Sequence, residues 1–327
     1  MSINLKLDNV FSLEYPQDKF EVIVASDCST DRTDDIVRMN CQKSVLLCRS
    51  EKRGGKVAAY KNALGIAKGD IVVFSDATSI LEKNSLINLV RNFNDSKVGC
   101  VAGLLTYEDP QTVNVGKGEH GYWQYNRNIN MLEGLLDSMT SVSGTFFAVR
   151  KELYPLNMES HLAEDLVVPL NVRRNGFVTI MEPEALCFES TVQTQNQEIR
   201  KRSRITIQNL HGLLANLDMF NLFKYGLFSV FLISHKLFRS LSALFLLGIF
   251  ILNVFLLRYS NIYVLTLIGQ IVFYSLGIIG GMWRKNRPKI INAVYFFCLS
   301  NYSILIGFFM FLIGYKVVTW DTERQEL

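Results

Sequence analysis

Three apolar runs near the C-terminal end, Ser240 to Leu257, Ile262 to Met282 and Ala293 to Tyr315, constrain this chain most. Each is long enough to cross a bilayer, giving helices of about 27 to 35 Å at 1.5 Å per residue. Apolar on every face, they suit lipid better than the one-sided burial of a soluble helix. Lys236 and Arg239 precede the first run and "WRKNRPK" (Trp283 to Lys289) follows the second, whereas only Arg258 lies in the link between them. By the positive-inside rule that link faces outward and the residues before the first run are cytoplasmic.

The hydrophobic content, 49% of 327 residues, is spread unevenly: ahead of Tyr225 charged and apolar residues mix as in a soluble domain. "FNLFKYGLFSVFLISHKLFR" (Phe220 to Arg239) spaces basic residues along an apolar run, as an in-plane interfacial helix does. The expected division is a cytoplasmic domain over 1–218, an interfacial amphipathic helix over 219–239, a transmembrane region over 240–318 and a tail over 319–327. Within the membrane region the spans are 240–257, 262–282 and 293–315, making a multi-pass protein of the cell (inner) membrane. Residues 1–20 have no continuous apolar core of the secretory type, so insertion rests on the later segments.

A formal charge of +4 gives no argument for nucleic acid. Six cysteines without a Cys-x-x-Cys pair read as reduced thiols that help fill the core. His120, His161, His211 and His235 lack metal-ligand spacing and stand in no nucleophile motif.

The first 110 residues alternate between short β-branched runs and helical stretches. "FEVIVAS" (Phe20 to Ser26), "SVLLC" (Ser44 to Cys48), "DIVVFS" (Asp70 to Ser75) and "VGCVAGLL" (Val98 to Leu105) are runs of the kind buried in parallel sheets. Between them, Val57 to Lys68 predicts a helix stopped by Gly69, and Ser79 with Glu82 predicts a capping box opening a helix to Phe93. This rhythm implies an α/β sheet with right-handed crossovers and a ligand crevice at the strands' carboxyl ends.

Asp27 and Asp31 follow one such strand end and Asp76 another. Carboxylates gathered at one sheet edge repel unless a cation or hydrogen-bond donors offset them, and a nucleotide with its metal supplies both. Capping of the next helix is the plain alternative; it suits Asp34 and Asp35, whereas Asp27 and Asp76 sit at the crevice itself. A phosphorylated receiver or phosphatase domain also ends strands on Asp, but no phosphotransfer motif accompanies Asp27 or Asp76.

"EVIVASDCSTDRT", "KRGGKVAAYKNALGIAKGDIVVFSDATS", "SGTFFAVRKEL" and "AEDLVVPLNVRRNG", in this order, resemble a family 2 glycosyltransferase of the inverting GT-A type. The resemblance covers roughly residues 7 to 215, and the apolar tail is similar to that of the membrane-embedded, polysaccharide-making branch. It implies a Rossmann-like, mostly parallel sheet followed by an α-helical transmembrane region. It also implies a nucleotide-sugar donor, UDP-linked by preference, a lipid-linked or growing polysaccharide acceptor, and contact with membrane lipids.

By the same resemblance Asp27 contacts the nucleotide base or ribose, with Asp31 a weaker candidate. "RGGK" (Arg53 to Lys56) is a turn whose amides and Lys56 are available to phosphate, although a plain turn reads almost as well. Asp76 falls on the first position of the family's Asp-x-Asp metal motif, and Thr78 stands where the second Asp would be. Mg²⁺ or Mn²⁺ takes only one or two carboxylates beside phosphates, so Asp76 with Thr78 through water can suffice. Asp165 corresponds to the family's catalytic base, next to Glu164 on the acceptor side in the first turn of a helix from about Leu162. In "EIRKRSRIT", Lys201, Arg204 and Ile205 stand at the Gln, Arg and Trp of the processive Gln-x-x-Arg-Trp motif. Arg204 can meet the pyrophosphate, while the lost Trp points toward single addition. On "GEHGYWQYNRNINML" (Gly118 to Leu132), Trp123 can stack on an acceptor sugar or simply pack. "TWDTER" (Thr319 to Arg324) resembles a terminal segment of hyaluronan-synthase relatives that should be cytoplasmic, whereas three crossings would leave it outside.

The resemblance departs at the start. Family members begin with a strand that helps hold the base, and "INLKLDNVFSLEYPQDKF" already reads as the helix and turn after it. The sheet is therefore expected to be N-terminally incomplete, with an exposed edge. A catalytically inactive, truncated member of the fold, acting as a partner in a polysaccharide assembly complex, stays open beside the enzyme.

Overall fold

The computed structural model describes residues 3–40, 45–108, 114–190, 195–283 and 287–319, and of residues 107–108, 114–123 and 190 the backbone alone. The chain opens with α1 (Ile3–Phe11), β1 (Val22–Ser26), α2 (Thr33–Met39), β2 (Val45–Arg49), α3 (Lys56–Ile66), β3 (Ile71–Ser75) and β4 (Ile80–Leu81). There follow α4 (Ser85–Arg91), β5 (Val98–Glu108), α5 (Asn114–Leu136), β6 (Phe146–Arg150), α6 (Glu164–Arg174), β7 (Val178–Ser190) and α7 (Gln195–Leu214).

The strands form two sheets. β1 and β2 pair in parallel, Val22 opposite Val45 and Ser26 opposite Arg49, and the other five are ordered β3-β6-β5-β7-β4. There β5 and β7 are parallel, whereas β3–β6, β5–β6 and β4–β7 are antiparallel. The architecture is the α/β, Rossmann-like one expected, but the sheet is mixed rather than mostly parallel. A buried apolar run has the same composition whichever way its neighbour points, so strand direction could not be read locally.

Strand alternation sorts the core onto two faces. Phe147 and Val149 join Leu64 of α3 and Val168 of α6 on one side, while Phe146 and Ala148 join Leu86 and Leu89 of α4 on the other. Phe74 stacks on Phe147 at 4.8 Å between ring centroids and on Tyr154 at 5.3 Å, anchoring β3 beneath the strand ends.

Two helix signals read otherwise in three dimensions. α3 ends at Ala67 with extended backbone, so Gly69 is not its cap. The capping box at Ser79 does not form: Ile80–Leu81 pairs with β7, the helix starts at Ser85, and Ser79 Oγ donates to the Asp76 carbonyl at 2.8 Å. β7 lies a hundred residues downstream, and its edge outcompetes a local cap. α6 begins at Glu164 rather than Leu162, and Gly176 beyond its end has a φ of +87°.

Among the described residues no strand lies between β1 and β3, yet both ends of the pair are tied together. Glu21, just before β1, accepts from the Lys68 and Gly69 amides just before β3 at 2.5 and 3.3 Å. At the other end Asp27 holds the 54–55 amides, and Lys56, next along, holds Asp76. A cavity of about 960 Å³ runs between the two strands.

Beyond α7 come α8 (Leu222–Tyr225), α9 (Leu227–Phe231), a π-helical stretch Leu232–Leu237, α10 (Phe238–Ser240), α11 (Ser242–Leu256), α12 (Asn261–Met282) and α13 (Lys289–Leu312). The single interfacial helix expected over 219–239 is thus a broken series. Its Tyr225, Phe228 and Leu232 pack on Leu166 and Leu170 of α6 and Leu213 of α7, so one face belongs to the core of the preceding domain. The expected first span shrinks to the 15 residues of α11, bent by 64° from Leu227–Ser240. α12 and α13 are each long and apolar enough to cross a membrane, and the bent pair makes a third candidate.

α13 lies along α7. Ser203 Oγ donates to the Ser303 carbonyl at 2.9 Å, and a Cβ on Gly307 would sit 2.7 Å from the Ser203 carbonyl, an approach open only to glycine. Beyond α13 the chain stays on this surface. His211 Nε2 meets the Tyr315 carbonyl at 3.1 Å, Gln208 donates to the Val317 carbonyl at 3.2 Å, and Val318 rests on Gly55. Residues 320–327, including most of "TWDTER", lie outside the described residues.

Candidate active site

Asp27 organises the first wall. Its two carboxylate oxygens accept from the Gly54 and Gly55 amides, each at 2.8 Å, and fix the loop that leads into α3. Those amides are therefore taken internally, which corrects the expectation that they face a phosphate. Gly55 has a φ of +83°, and a Cβ there would lie 2.3 Å from the Val318 carbonyl, so conformation and contact both require glycine. Asp27 also lines the cavity between β1 and β3, and each of its oxygens can accept a further hydrogen bond.

Lys56, the first residue of α3, is aimed by this loop at the end of β3. Its Nζ donates to Asp76 Oδ1 at 2.7 Å and to the Gly144 carbonyl at 2.8 Å. A Cβ on Gly144 would lie 3.7 Å from Lys56 Nζ and 3.8 Å from Asp165 Cβ, so the lysine and Asp165 flank this glycine. Burial disfavours the charge on Lys56, but its neighbours, Asp76 and Glu164 among them, outweigh that and hold it well above the ordinary lysine value.

Glu164 and Asp165 open α6 and differ in setting. Glu164 is buried, and its Oε1 has no hydrogen-bond partner among the described residues. Burial pushes its carboxyl up to about 8, with repulsion from Asp165 and Asp76 adding to the effect against Lys56. Asp165 is only half-buried. Burial raises it too, opposed by Lys236, Lys56 and Arg204. Arg204, on α7, thus faces both Asp165 and Asp76. Asp27, Lys56, Asp76, Glu164, Asp165 and Arg204 form one constellation from five separate segments.

The other expected residues are placed differently. Asp31 Oδ1 accepts from the Thr33 amide at 3.0 Å and serves the start of α2. Asp34 is buried against Arg49, and Asp35 pairs with Arg38 at 3.3 Å, so both acids are structural. Thr78 is exposed and lies beside Glu189. Trp123 lies on α5, but its side chain is outside the described residues.

Three residues escaped the sequence. Glu189, near the end of β7, interacts with Asp76 and Thr78. Lys236, on the π-helical stretch, donates to Ser141 Oγ and faces Asp165. His235 beside it bonds Glu133 at 2.7 Å and Asn126 at 3.1 Å, tying this stretch to α5. Only the basic spacing of residues 220–239 hinted at Lys236 and His235, and it was read as that of an interfacial helix. Among the described residues no three His, Cys, Asp or Glu side chains cluster as a preformed metal cage. Asp76, Thr78 and Glu189 are nevertheless all oxygen donors, the set that suits a hard cation which takes further ligands from phosphates.

The sequence model of glycosyl transferase family 2 matches residues 6–155, from α1 past β6 and short of Asp165. Residues 6–155 are thus a family 2 glycosyltransferase domain. It is 25% identical over 244 residues to a probable glycosyltransferase, YdaM, of Bacillus subtilis, covering 67% of this chain and 54% of that protein. It is 24% identical over 236 residues to the poly-beta-1,6-N-acetyl-D-glucosamine synthase of Staphylococcus aureus, covering 69% of this chain and 55% of the synthase. The chain thus spans about half the length of these relatives. Among solved structures, a mannosyltransferase from Pyrobaculum calidifontis, in complex with GDP-Man and Mn²⁺, superposes with a TM-score of 0.71. At 19% identity, over 95% of this chain and 83% of that one, the match establishes a shared fold.

Glu164 generates a pH test. Between the ordinary glutamate value and about 8 the unfolded chain ionises while the folded chain keeps its proton, so stability falls as pH rises through that window. Glu164→Gln is expected to raise the melting temperature relative to wild type at about pH 8 and to lose that advantage at about pH 4.5. Scanning fluorimetry across this range checks it; a pH-independent difference would mean that Glu164 is ionised in the folded chain.

Proposed function

We propose that this glycosyltransferase moves a sugar from a nucleotide-sugar donor, UDP-linked by family resemblance, to a lipid-linked or growing polysaccharide acceptor at the cytoplasmic face of the cell membrane. The observation that carries the proposal is the bridge from Lys56 to Asp76 and Gly144, with Asp165 on the far side of that glycine. It places cationic and anionic groups for a diphosphate next to a carboxylate able to accept a proton. Relatives support the reading, one being a polysaccharide synthase and one a mannosyltransferase solved with GDP-Man and Mn²⁺.

In this reading Asp165 accepts the proton of the acceptor hydroxyl as that oxygen attacks the anomeric carbon, and the C–O bond to the diphosphate breaks. Direct displacement inverts the anomeric centre. Arg204 and Lys56 hold the diphosphate as negative charge develops on it. Asp76, with Thr78 and Glu189 at the rim, would hold Mg²⁺ or Mn²⁺, which supplies further charge neutralisation to the leaving group. Lys236 faces Asp165 and favours the ionised form of its half-buried carboxylate.

Asp165→Asn is expected to lower donor turnover by about 10² to 10⁴, the usual worth of a general base, and Asp76→Ala to weaken divalent-metal dependence, with melting temperatures near wild type. Because burial raises Asp165, the acid limb of the pH–rate profile should lie above the ordinary aspartate range, with rate lost as pH falls through it. Wild-type turnover by Asp165→Asn would end the assignment.

Tyr315, Val317 and Val318 contact α7 and the Gly55 loop, which supports a reading in which the chain between crosses the membrane an even number of times. A cysteine introduced at Thr319 should label only after the cells are permeabilised. Labelling of Thr319 from outside in intact cells would refute the topology.

A further inference from the structure

The segment 141–144 carries a lysine at each end. Lys56 Nζ donates to the Gly144 carbonyl at 2.8 Å, and Lys236 Nζ, from the π-helical stretch, donates to Ser141 Oγ. Between them the Val142 amide donates to the Asp165 carbonyl at 2.9 Å, seating the first turn of α6 against the middle of the segment. Three residues span at most about 11 Å, so both ammonium groups lie close to Asp165, and both favour its ionised form. Lys56 and Arg204 also interact with Asp76, on the side of the diphosphate, whereas the carboxylates that act on Lys236 are Glu133 and Asp165. A direct displacement brings the attacking oxygen in opposite the leaving diphosphate, so Lys236 stands where the acceptor arrives.

Lys236 is held there by a built support. His235 beside it donates from Nδ1 to Glu133 Oε1 at 2.7 Å, since a carboxylate can only accept, and Glu133 Oε2 accepts from the Thr140 amide and hydroxyl, each at 2.9 Å. One buried carboxylate thus ties the π-helical stretch to the residue that precedes Ser141. Arg239 donates to Asn126 Oδ1 at 2.7 Å and adds a second cation one turn along. The surface that follows is apolar. After a bend of 64° α11 begins at Ser242, and Phe238 and Phe245 meet edge to face across the bend at 5.8 Å between ring centroids, both exposed. A ligand with an anion at Lys236 and an apolar tail along these rings matches both surfaces. A neutral glycan would use neither, and Ile205 offers it no aromatic face on which to stack.

We propose that Lys236 binds a phosphate of the acceptor, and that this acceptor is a sugar joined through phosphate to a lipid whose tail leaves along Phe238 and Phe245. The inference rests on Asp165 as the base and names the acceptor class for that site. The sugar hydroxyl gives its proton to Asp165 as its oxygen bonds to the anomeric carbon and the bond to the diphosphate breaks. Because the segment 141–144 is short, the phosphate on Lys236 belongs next to the sugar that attacks, not at the far end of a long chain.

The test uses the full chain in a neutral detergent with UDP and Mg²⁺ at saturation, which occupies the donor side and leaves the acceptor side open. Binding of farnesyl phosphate, farnesol and inorganic phosphate is then measured by titration calorimetry. The expected result is saturation at one farnesyl phosphate per chain, with farnesol and inorganic phosphate each at least about tenfold weaker. Lys236→Gln should lose at least about tenfold in farnesyl phosphate affinity at a wild-type melting temperature, and Lys236→Arg should regain most of it. Equal affinity of wild type for farnesyl phosphate and farnesol would show an apolar site indifferent to the anion and overturn the proposal. Inorganic phosphate as tight as farnesyl phosphate would overturn the assignment to a lipid. A wild type that binds no UDP would overturn the donor reading and this inference with it, whereas UDP binding without preference for the phosphorylated lipid overturns this inference alone.

Discussion

The Lys56–Asp76 ion pair is the interaction on which the rest of the site depends. Asp76, Glu164 and Asp165 converge within a partly buried crevice, and three acids so placed would repel one another without a cation among them. Lys56 can stand there only because α3 starts where it does, and the Asp27 clasp on the Gly54 and Gly55 amides fixes that start. From the end of β1 to Asp165 the constraints form one chain. Gly55 is its tightest link, held by its own backbone conformation and by the returning C-terminal segment.

Much of this was legible in the sequence, for a physical reason. Acids that end apolar strand-like runs are conspicuous, and at a sheet's carboxyl edge they have few roles besides capping and ligand contact. Asp27 and Asp76 stood out in this way, and Asp165, Lys56 and Arg204 through their motif settings. Glu189, Lys236 and the His235–Glu133 pair did not, because their partners come from elements far away in sequence. Ser79 shows the same limit from the other side: its spacing to Glu82 matched a cap, but the pairing of Ile80–Leu81 with β7 decided the local structure. Sheet direction was equally hidden.

The apolar C-terminal region shows how composition can be right about class and incomplete about placement. α13 is apolar enough for lipid, yet one side of it lies on α7 through Ser303 and Gly307. The same segment can satisfy bilayer and protein at once, since close helix contacts use small residues that hydropathy scarcely registers. In consequence the membrane region is packed against the helix that carries Arg204, and the segment after α13 reaches the Gly55 loop.

The most direct measurement is equilibrium binding of UDP, with and without Mg²⁺, to wild type and to Lys56→Met in detergent. With Lys56 as the pivot of a nucleotide-diphosphate site, the wild type binds UDP and the variant binds at least about tenfold more weakly, a difference of about 1.4 kcal/mol. Equal affinities, in a variant whose melting temperature matches wild type, would contradict it.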